Sequence, residues 1–250
     1  MDVVEIAELV EQLNEHGLAL AAAADAAGLE AAVPTCPEWD VRALLAHTGM
    51  VHRWAAGIVR NEPDATDRSD FPAPAEGVVE WFREGHAALV DALRAAPPDL
   101  EVWSFLAAPS PLAFWARRQA HETAIHRVDA ESAVGTIPTF ERDFALDGIS
   151  ELLEGFYSRS RGKLVADPGF SMHVAPDDAS VSWTIQVGPE SRTVTRHEFA
   201  ADVTADCTIR GAASDLYLDL WNRGHAGPTQ VEGDQRPMQT WRELATVTWS

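Results

Sequence analysis

The chain has 250 residues, 46% of them hydrophobic, which is enough to bury a core in one large domain or two small ones, and we predict two. Asp and Glu outnumber Lys and Arg by 39 to 19. The resulting formal charge of -20 argues against nucleic acid or an anionic membrane surface as a partner, because both would be repelled. The two cysteines, Cys36 and Cys207, are too few for a disulfide scaffold or a thiolate zinc cluster.

The N-terminal segment MDVVEIAELVEQLNEHG has the pattern of an acidic amphipathic helix and lacks the basic-then-apolar pattern of a signal peptide. The sequence also contains no apolar run long enough to span a bilayer. We therefore expect a cytoplasmic protein that binds no membrane.

The first half of the chain has apolar residues at helical spacing, with Gly and Pro residues where each segment ends. Pro37 can open the second helix because its missing N–H would be unpaired there. Four long helices joined by loops, one of them the polar stretch 61–75, predict an antiparallel bundle. The five predicted helices are Val4 to about Leu29, Pro37 to about Arg60, Glu76 to about Ala95, Leu112 to Val134, and Asp143 to about Arg159.

After Lys163 the pattern changes to the two-residue alternation and β-branched content that are typical of strands. The predicted strands are FSMHVA, SVSWTIQV, SRTVTRHEF and ADCTIRG, and the helix AASDLYLDLWNRG follows them and ends at Gly224. A helical half followed by strands and a helix indicates an α+β protein. We place the domain boundary near residue 160, which gives a helical domain over 1–160 and an α+β domain over 161–250.

The segment HETAIHRVDAE places Glu122 and His126 four residues apart in a predicted helix. Their side chains leave the same face, with Cβ atoms about 5 to 6 Å apart, so both can bind one divalent metal ion. The best third ligand is His47, in the helical stretch VRALLAHTGMVHRW, and His86 in the third helix is the alternative. Two His and one Glu leave a fourth position for water or substrate, as in catalytic zinc sites.

A Glu and a His at this spacing also form ordinary hydrogen-bonded pairs on helix surfaces. Here the pair lies among Phe114, Trp115 and Ile125, so we expect it to be buried, and a buried carboxylate needs a cation or a donor. Arg118, four residues before Glu122, would pair with it or with an anionic ligand. Asp129, three residues after His126, would accept a hydrogen bond from that helix face. Trp39 and Trp54 would line a pocket.

Three segments together resemble the mycothiol-dependent maleylpyruvate isomerase family of actinobacteria, and the resemblance extends over nearly the whole chain. The segments are PTCPEWDVRALLAHTGMVHRW, WARRQAHETAIHRVDAE and TADCTIRGAASDLYLDLWNR. The family resemblance implies a DinB-like four-helix bundle and a zinc ion held by His47, Glu122 and His126. It further implies that the external thiol mycothiol is used and that Arg223, in LWNR, faces the zinc. Glu38 and Asn222 stand where the family more often has Gly.

The resemblance also implies a reaction. Zinc would deprotonate the bound thiol, which would add to the cis double bond of a small unsaturated carboxylic acid, and elimination after rotation would give the trans isomer. Without elimination the enzyme would be a thiol transferase. Arg223 would clamp a carboxylate or, alternatively, act as a helix-end cation. The competing hypotheses are a thiol-independent metal hydrolase or lyase, and a non-catalytic protein that reuses the fold.

Overall fold

The computed structural model describes residues 5–62, 67–159, 163–198 and 203–247. The predicted helix start at Val4, the strand end at Phe199 and part of the loop 61–75 lie outside those residues. Contacts between Cα atoms divide the chain into two units, Met1–Pro138 and Thr139–Ser250. The division falls earlier than the boundary near residue 160 given by the sequence, because the helix that begins at Arg142 packs against the second unit's own helix Ala213–Leu220.

The first unit is built from four long helices, as the sequence predicts. Helix α1 packs chiefly on α4 and helix α2 on α3, while contacts of α1 with α3 and of α2 with α4 complete the bundle. A short 3-10 turn, Arg68–Asp70, lies in the loop between α2 and α3. The helices are α1 Ile6–Ala27, α2 Val41–Val59, α3 Val78–Ala95 and α4 Pro111–Ser132.

Helix α2 begins four residues later than Pro37, where the sequence analysis placed its start. The side chain of Asp40 accepts a hydrogen bond from the backbone N–H of Ala43 over 2.8 Å, which satisfies one of the unpaired amides of the first turn. The capping carboxylate therefore sets the helix start, and Pro37 lies in the preceding loop. Ser110 caps α4 in the same way, through the N–H of Ala113.

Helix α4 is buried almost all round and carries polar groups in its buried part. Sixteen of its 22 residues are buried, and seven of those are polar or charged. Apolar packing alone cannot stabilise such a helix, because each buried polar group needs a hydrogen-bond or ionic partner. These seven residues are Arg118, Gln119, His121, Glu122, Thr123, His126 and Asp129.

The second unit combines three helices with a five-stranded mixed sheet, which confirms the predicted α+β class. Helix α5 continues into a π-helical stretch, Glu151–Tyr157. The strand order is β3-β2-β1-β4-β5, with β1 parallel to β4 and all other neighbours antiparallel. The elements are α5 Arg142–Ser150, β1 Phe170–Pro176, β2 Ser182–Val187, β3 Arg192–His197, β4 Cys207–Gly211, α6 Ala213–Leu220, β5 Gln230–Gly233 and α7 Arg236–Leu244.

One face of this sheet forms the core of the second unit. Met172, Ile185 and Cys207 are paired across neighbouring strands and are fully buried. Trp241 of α7 is also fully buried, and its indole N–H donates to the carbonyl of Leu220 over 2.9 Å. Helix α7 and strand β5 follow the last predicted helix and had no counterpart in the sequence analysis. No helix in the described part of the chain has the length and hydropathy needed to cross a membrane.

Candidate metal centre

Helices α2 and α4 bring His47, Glu122 and His126 together inside the bundle. One ligand atom from each of the three lies within 4.8 Å of the other two. Oε1 of Glu122 is 3.7 Å from Nε2 of His47 and 3.3 Å from Nε2 of His126. The structure thus assembles the three predicted ligands around one point, and His86 is not among them.

The local sequence explains why these side chains converge. Leu44, Leu45 and Val51 are fully buried and fix the inward face of α2, which includes His47. On α4 the spacing of four residues places Glu122 and His126 one turn apart on the same side. The pair is buried, as its apolar neighbours predict.

The two oxygens of Glu122 have different partners. NH2 of Arg118 donates to Oε2 over 3.0 Å, while Oε1 faces the two imidazoles. Burial alone would favour the protonated carboxyl, yet hydrogen bonds from His126 and His47 and the charge of Arg118 hold the pKa of Glu122 well below its usual range. Glu122 is therefore a carboxylate with one oxygen available to a cation, and the predicted pairing with Arg118 is confirmed.

The imidazole of His126 is oriented by Asp129, as the sequence analysis also predicted. Nδ1–H of His126 donates to Oδ2 of Asp129 over 2.8 Å, so Nε2 points to the centre. Burial opposes a charge on His126, but the hydrogen bonds with Asp129 and Glu122 outweigh it and raise the pKa of the metal-free imidazole to about 9. Asp129 is fully buried and accepts a further hydrogen bond from Thr35 over 2.6 Å.

Trp39 covers one side of the centre. Its ring centroid lies 4.9 Å from that of His47 and 5.9 Å from that of His126. The side chain of His47 is 27% exposed, compared with 9% for His126 and 6% for Glu122. The centre is therefore reached from the side of His47, next to a partly exposed indole.

These donors fit a zinc ion. Zinc–ligand bonds of about 2.0 to 2.2 Å put two ligands of a tetrahedral site roughly 3.4 Å apart, close to the two measured separations from Oε1 of Glu122. The imidazole of His126 has the carboxylate partner that zinc-binding histidines usually have. Carboxylate and imidazole also bind manganese, iron and nickel. The donor set therefore specifies a divalent metal ion and not zinc alone.

His52, His86 and Trp54 have other partners in the bundle. Nε2 of His52 is 2.9 Å from Oγ1 of Thr123, and its ring lies 5.6 Å from that of His86. His86 donates from Nε2 to the carbonyl of Leu13 over 3.1 Å. Burial lowers the pKa of both histidines, which are therefore neutral core residues. Trp54 packs edge-on against Trp115, with ring centroids 5.2 Å apart.

Arg223 belongs to the second unit, just after α6. Its backbone N–H donates to the carbonyl of Leu218 over 2.9 Å, and NH1 donates to the carbonyl of Trp221 over 3.0 Å. Asn222 has a positive φ of 57°, in the left-handed region that Gly and Asn tolerate best. The catalytic role of Arg223 stays a prediction.

Thr35 is a residue of the centre that the sequence analysis missed. It is 94 positions away from Asp129, and no spacing rule connects a loop hydroxyl with a helix carboxylate over that distance. The signal available in the sequence was its place in the PTCPEW segment, two residues after the buried Val33 and four before Trp39.

The fold and the site define an α+β protein whose helical bundle carries a candidate centre of two histidines and one glutamate. Residues 10–131 match the model of the mycothiol maleylpyruvate isomerase N-terminal domain, and residues 143–239 match that of the MDMPI C-terminal domain. Together the two models span most of the chain, which therefore belongs to the mycothiol maleylpyruvate isomerase family.

Two crystal structures share this fold. The mycothiol-dependent maleylpyruvate isomerase aligns with a TM-score of 0.61 at 15% identity, and a histidine-to-alanine variant of that enzyme aligns with a TM-score of 0.62 at 13% identity. Each alignment covers 91% of this chain and 93% of the other. The comparison with curated proteins finds no match.

Proposed function

We propose that the protein is a zinc enzyme that uses an external low-molecular-weight thiol, mycothiol, to isomerise or conjugate a small unsaturated carboxylic acid. The observation that carries the proposal is the convergence of His47, Glu122 and His126 within 4.8 Å, in a chain that belongs to this family. Three ligands of this kind are typical of catalytic zinc sites, which keep one position for a reactant.

The buried charges around the centre favour an anionic reactant. The buried groups at the centre include two carboxylates, those of Glu122 and Asp129, and one guanidinium, that of Arg118. When the histidines are neutral, these three groups carry one net negative charge. A divalent ion would turn this excess of one negative charge into an excess of one positive charge. An anion at the fourth position would neutralise that charge, and both a thiolate and a zinc-bound hydroxide are such anions. The family to which the chain belongs favours the thiolate.

Zinc bound here would lower the pKa of the thiol and so supply the nucleophile at neutral pH. Neighbouring side chains hold the candidate metal ligands in position. Arg118 holds one oxygen of Glu122 and directs the other to the centre, and Asp129 holds Nδ1 of His126. Trp39 covers one side, which limits the access of bulk water.

In the proposed reaction the sulfur forms a bond to one carbon of the activated cis double bond, and the electron pair moves onto the conjugated carbonyl oxygen. Rotation about the resulting single bond, followed by return of the pair and loss of the thiolate, gives the trans acid. Protonation of the adduct before the thiolate leaves gives the conjugate instead. Arg223 is proposed to hold the substrate's carboxylate through its planar pair of donors.

Metal analysis tests the centre. We expect the purified wild-type protein to bind about one zinc ion and His47→Ala to lose most of it. His52→Ala should keep the ion, since the imidazole of His52 forms a hydrogen bond with Thr123. The two substituted histidines lie on the same helix and differ in whether they face Glu122. Equal zinc content in both variants would count against the proposed centre.

Mass spectrometry of reaction mixtures tests the chemistry. The protein is incubated with zinc and a panel of cis-unsaturated carboxylic acids, with and without mycothiol, and trans isomers and thiol adducts are both quantified. Turnover that needs the thiol is expected, whereas turnover that persists without it would favour the metal hydrolase or lyase hypothesis.

Arg223→Lys distinguishes the two roles considered for that arginine. A carboxylate clamp predicts a KM raised about tenfold, and a helix-end cation predicts no change.

A further inference from the structure

The segment from Val33 to Asp40, here called the α1–α2 loop, is closed by its own backbone. The N–H of Val33 donates to the carbonyl of Trp39 over 3.0 Å, and the N–H of Trp39 donates to the carbonyl of Cys36 over 2.8 Å. The N–H of Cys36 in turn donates to the carbonyl of Val33 over 3.0 Å. Thr35 and Trp39 are thus parts of one compact turn.

This loop contacts the metal centre at two points. Oγ1 of Thr35 donates to Oδ1 of Asp129 over 2.6 Å, and Oδ2 of the same carboxylate accepts from Nδ1 of His126 over 2.8 Å. The indole of Trp39 lies against the rings of His47 and His126. The loop therefore contacts the rings of His47 and His126 directly and also holds that of His126 through a chain of two hydrogen bonds.

A second hydroxyl supports the chain. Oγ of Ser132 donates to the backbone carbonyl of Asp129 over 2.7 Å and is 3.2 Å from Oγ1 of Thr35. Asp129 is fully buried, so its carboxylate has no bulk water to replace a lost partner. The hydroxyl of Thr35 is one of the donors that orient this carboxylate, and the carboxylate in turn holds Nδ1 of His126.

We propose that Thr35 and Asp129 are positioning residues that couple the α1–α2 loop to the metal centre, so that metal binding orders the loop and the loop strengthens metal binding. The inference rests on the proposed function, because it assumes that the centre binds a divalent ion. The coupling is reciprocal, because a contact that raises the affinity for the metal must also be stabilised by it.

Three substitutions test the chain of hydrogen bonds in the full-length protein. Thr35→Val keeps the branched shape and removes the donor, Thr35→Ser keeps the donor, and Asp129→Asn removes the charge. Loss of an outer partner of a metal-binding histidine weakens metal binding by about 10- to 100-fold. We expect about tenfold weaker zinc binding for Thr35→Val, a larger loss for Asp129→Asn, and near-wild-type affinity for Thr35→Ser.

Zinc affinity is measured by competition with a chromophoric chelator, and the visible spectrum of the Co²⁺ form reports the geometry of the centre. Amide hydrogen exchange at Val33, Cys36 and Trp39 reports the loop. Zinc is expected to slow this exchange in wild type and to slow it less in Thr35→Val. Thr136→Val is the matched control, since that exposed hydroxyl donates to the carbonyl of Glu131, away from the centre.

The outcomes separate the inference from the proposed function. If wild type fails to bind zinc or Co²⁺, the proposed function fails and the inference fails with it. If wild type binds zinc but Thr35→Val and the Thr136→Val control do so equally, with the same Co²⁺ spectrum and the same exchange, only the inference is overturned. Should Asp129→Asn not fold, the comparison of Thr35→Val with Thr35→Ser decides the question.

Discussion

Arg118 and Glu122 form a fully enclosed ion pair in which NH2 of the arginine binds Oε2 of the glutamate over 3.0 Å, on the side away from the histidines. The arginine side chain is 0% exposed and the glutamate 6%, so solvent does not weaken the pair. Removing one partner of a buried pair leaves the other charge uncompensated, which is far more costly than breaking a pair at the surface.

We expect Arg118→Met to lower the free energy of unfolding of the metal-free protein by about 3 to 5 kcal/mol. The loss should be smaller in the zinc-loaded protein, since the ion supplies a positive charge beside Glu122. Urea unfolding with chelator and with zinc measures both values. Arg94→Met is the control, because Arg94 pairs with Glu11 at the surface and its loss should cost less than about 1 kcal/mol. An equal loss with and without zinc would contradict the assignment.

Zinc binding should release a proton from His126. In the metal-free protein the pKa of this imidazole is raised to about 9, while that of Glu122 is held low, so near neutral pH His126 carries a proton that the metal must displace. Calorimetric titrations with zinc in two buffers of different ionisation enthalpy should give at least about one proton per ion. Identical apparent enthalpies in both buffers would show that His126 is already neutral.

The stability of the metal-free protein should be greatest near pH 6.5. Burial, together with the nearby Arg127 and His121, lowers the pKa of His16 to about 3, so unfolding takes up a proton there and stability falls as the pH drops below 6.5. The pKa of His126, about 9, has the opposite effect, and stability falls as the pH rises from 6.5 to 9.

Each of these histidines should contribute up to about 1.4 kcal/mol per pH unit inside its window, and the buried His52 and His86, whose pKa values are also lowered, should add to the acid slope. Urea unfolding in chelator below, at and above pH 6.5 measures both slopes. His126→Gln should remove the alkaline slope and leave the acid one. If that variant keeps the alkaline slope, another group is responsible for it.

Gly17→Ala should destabilise the bundle, against the usual preference for Ala in a helix. A Cβ at Gly17 would lie 2.2 Å from Nε2 of His86, the atom that donates to Leu13. Overpacking of this kind costs about 1 to 3 kcal/mol. Thermal unfolding of Gly17→Ala, His86→Ala and the double variant forms a cycle, and the glycine substitution should cost less once the ring is gone. Additive effects would show that the ring is not the obstacle.

The grouping of the three candidate ligands could be predicted from sequence because their positions follow helical periodicity. Glu122 and His126 share a helix face at a spacing of four, and His47 lies on the buried side of a strongly patterned helix. The helices of the first unit were predictable for the same reason, apart from the start of α2. There the capping side chain of Asp40 outweighs the preference of Pro37 for a first turn.

Contacts between distant segments could not be predicted in this way. The bond between Thr35 and Asp129 joins a loop to a helix, and only tertiary packing brings the two groups together. Strand β5 is short, and three of its four residues are exposed, so it lacks the alternation that identified its neighbours. Helix α5 gives way to a π-helical stretch, which has no periodic signature of its own in the sequence.

Helix α4 supplies Arg118, Glu122, His126 and Asp129 from four successive turns. A rotation of this helix about its axis by one residue, about 100°, would turn all four away from their partners at once. These four side chains of the centre therefore depend on one register of α4 in the bundle. A single-residue insertion in the middle of α4 would therefore abolish the whole constellation.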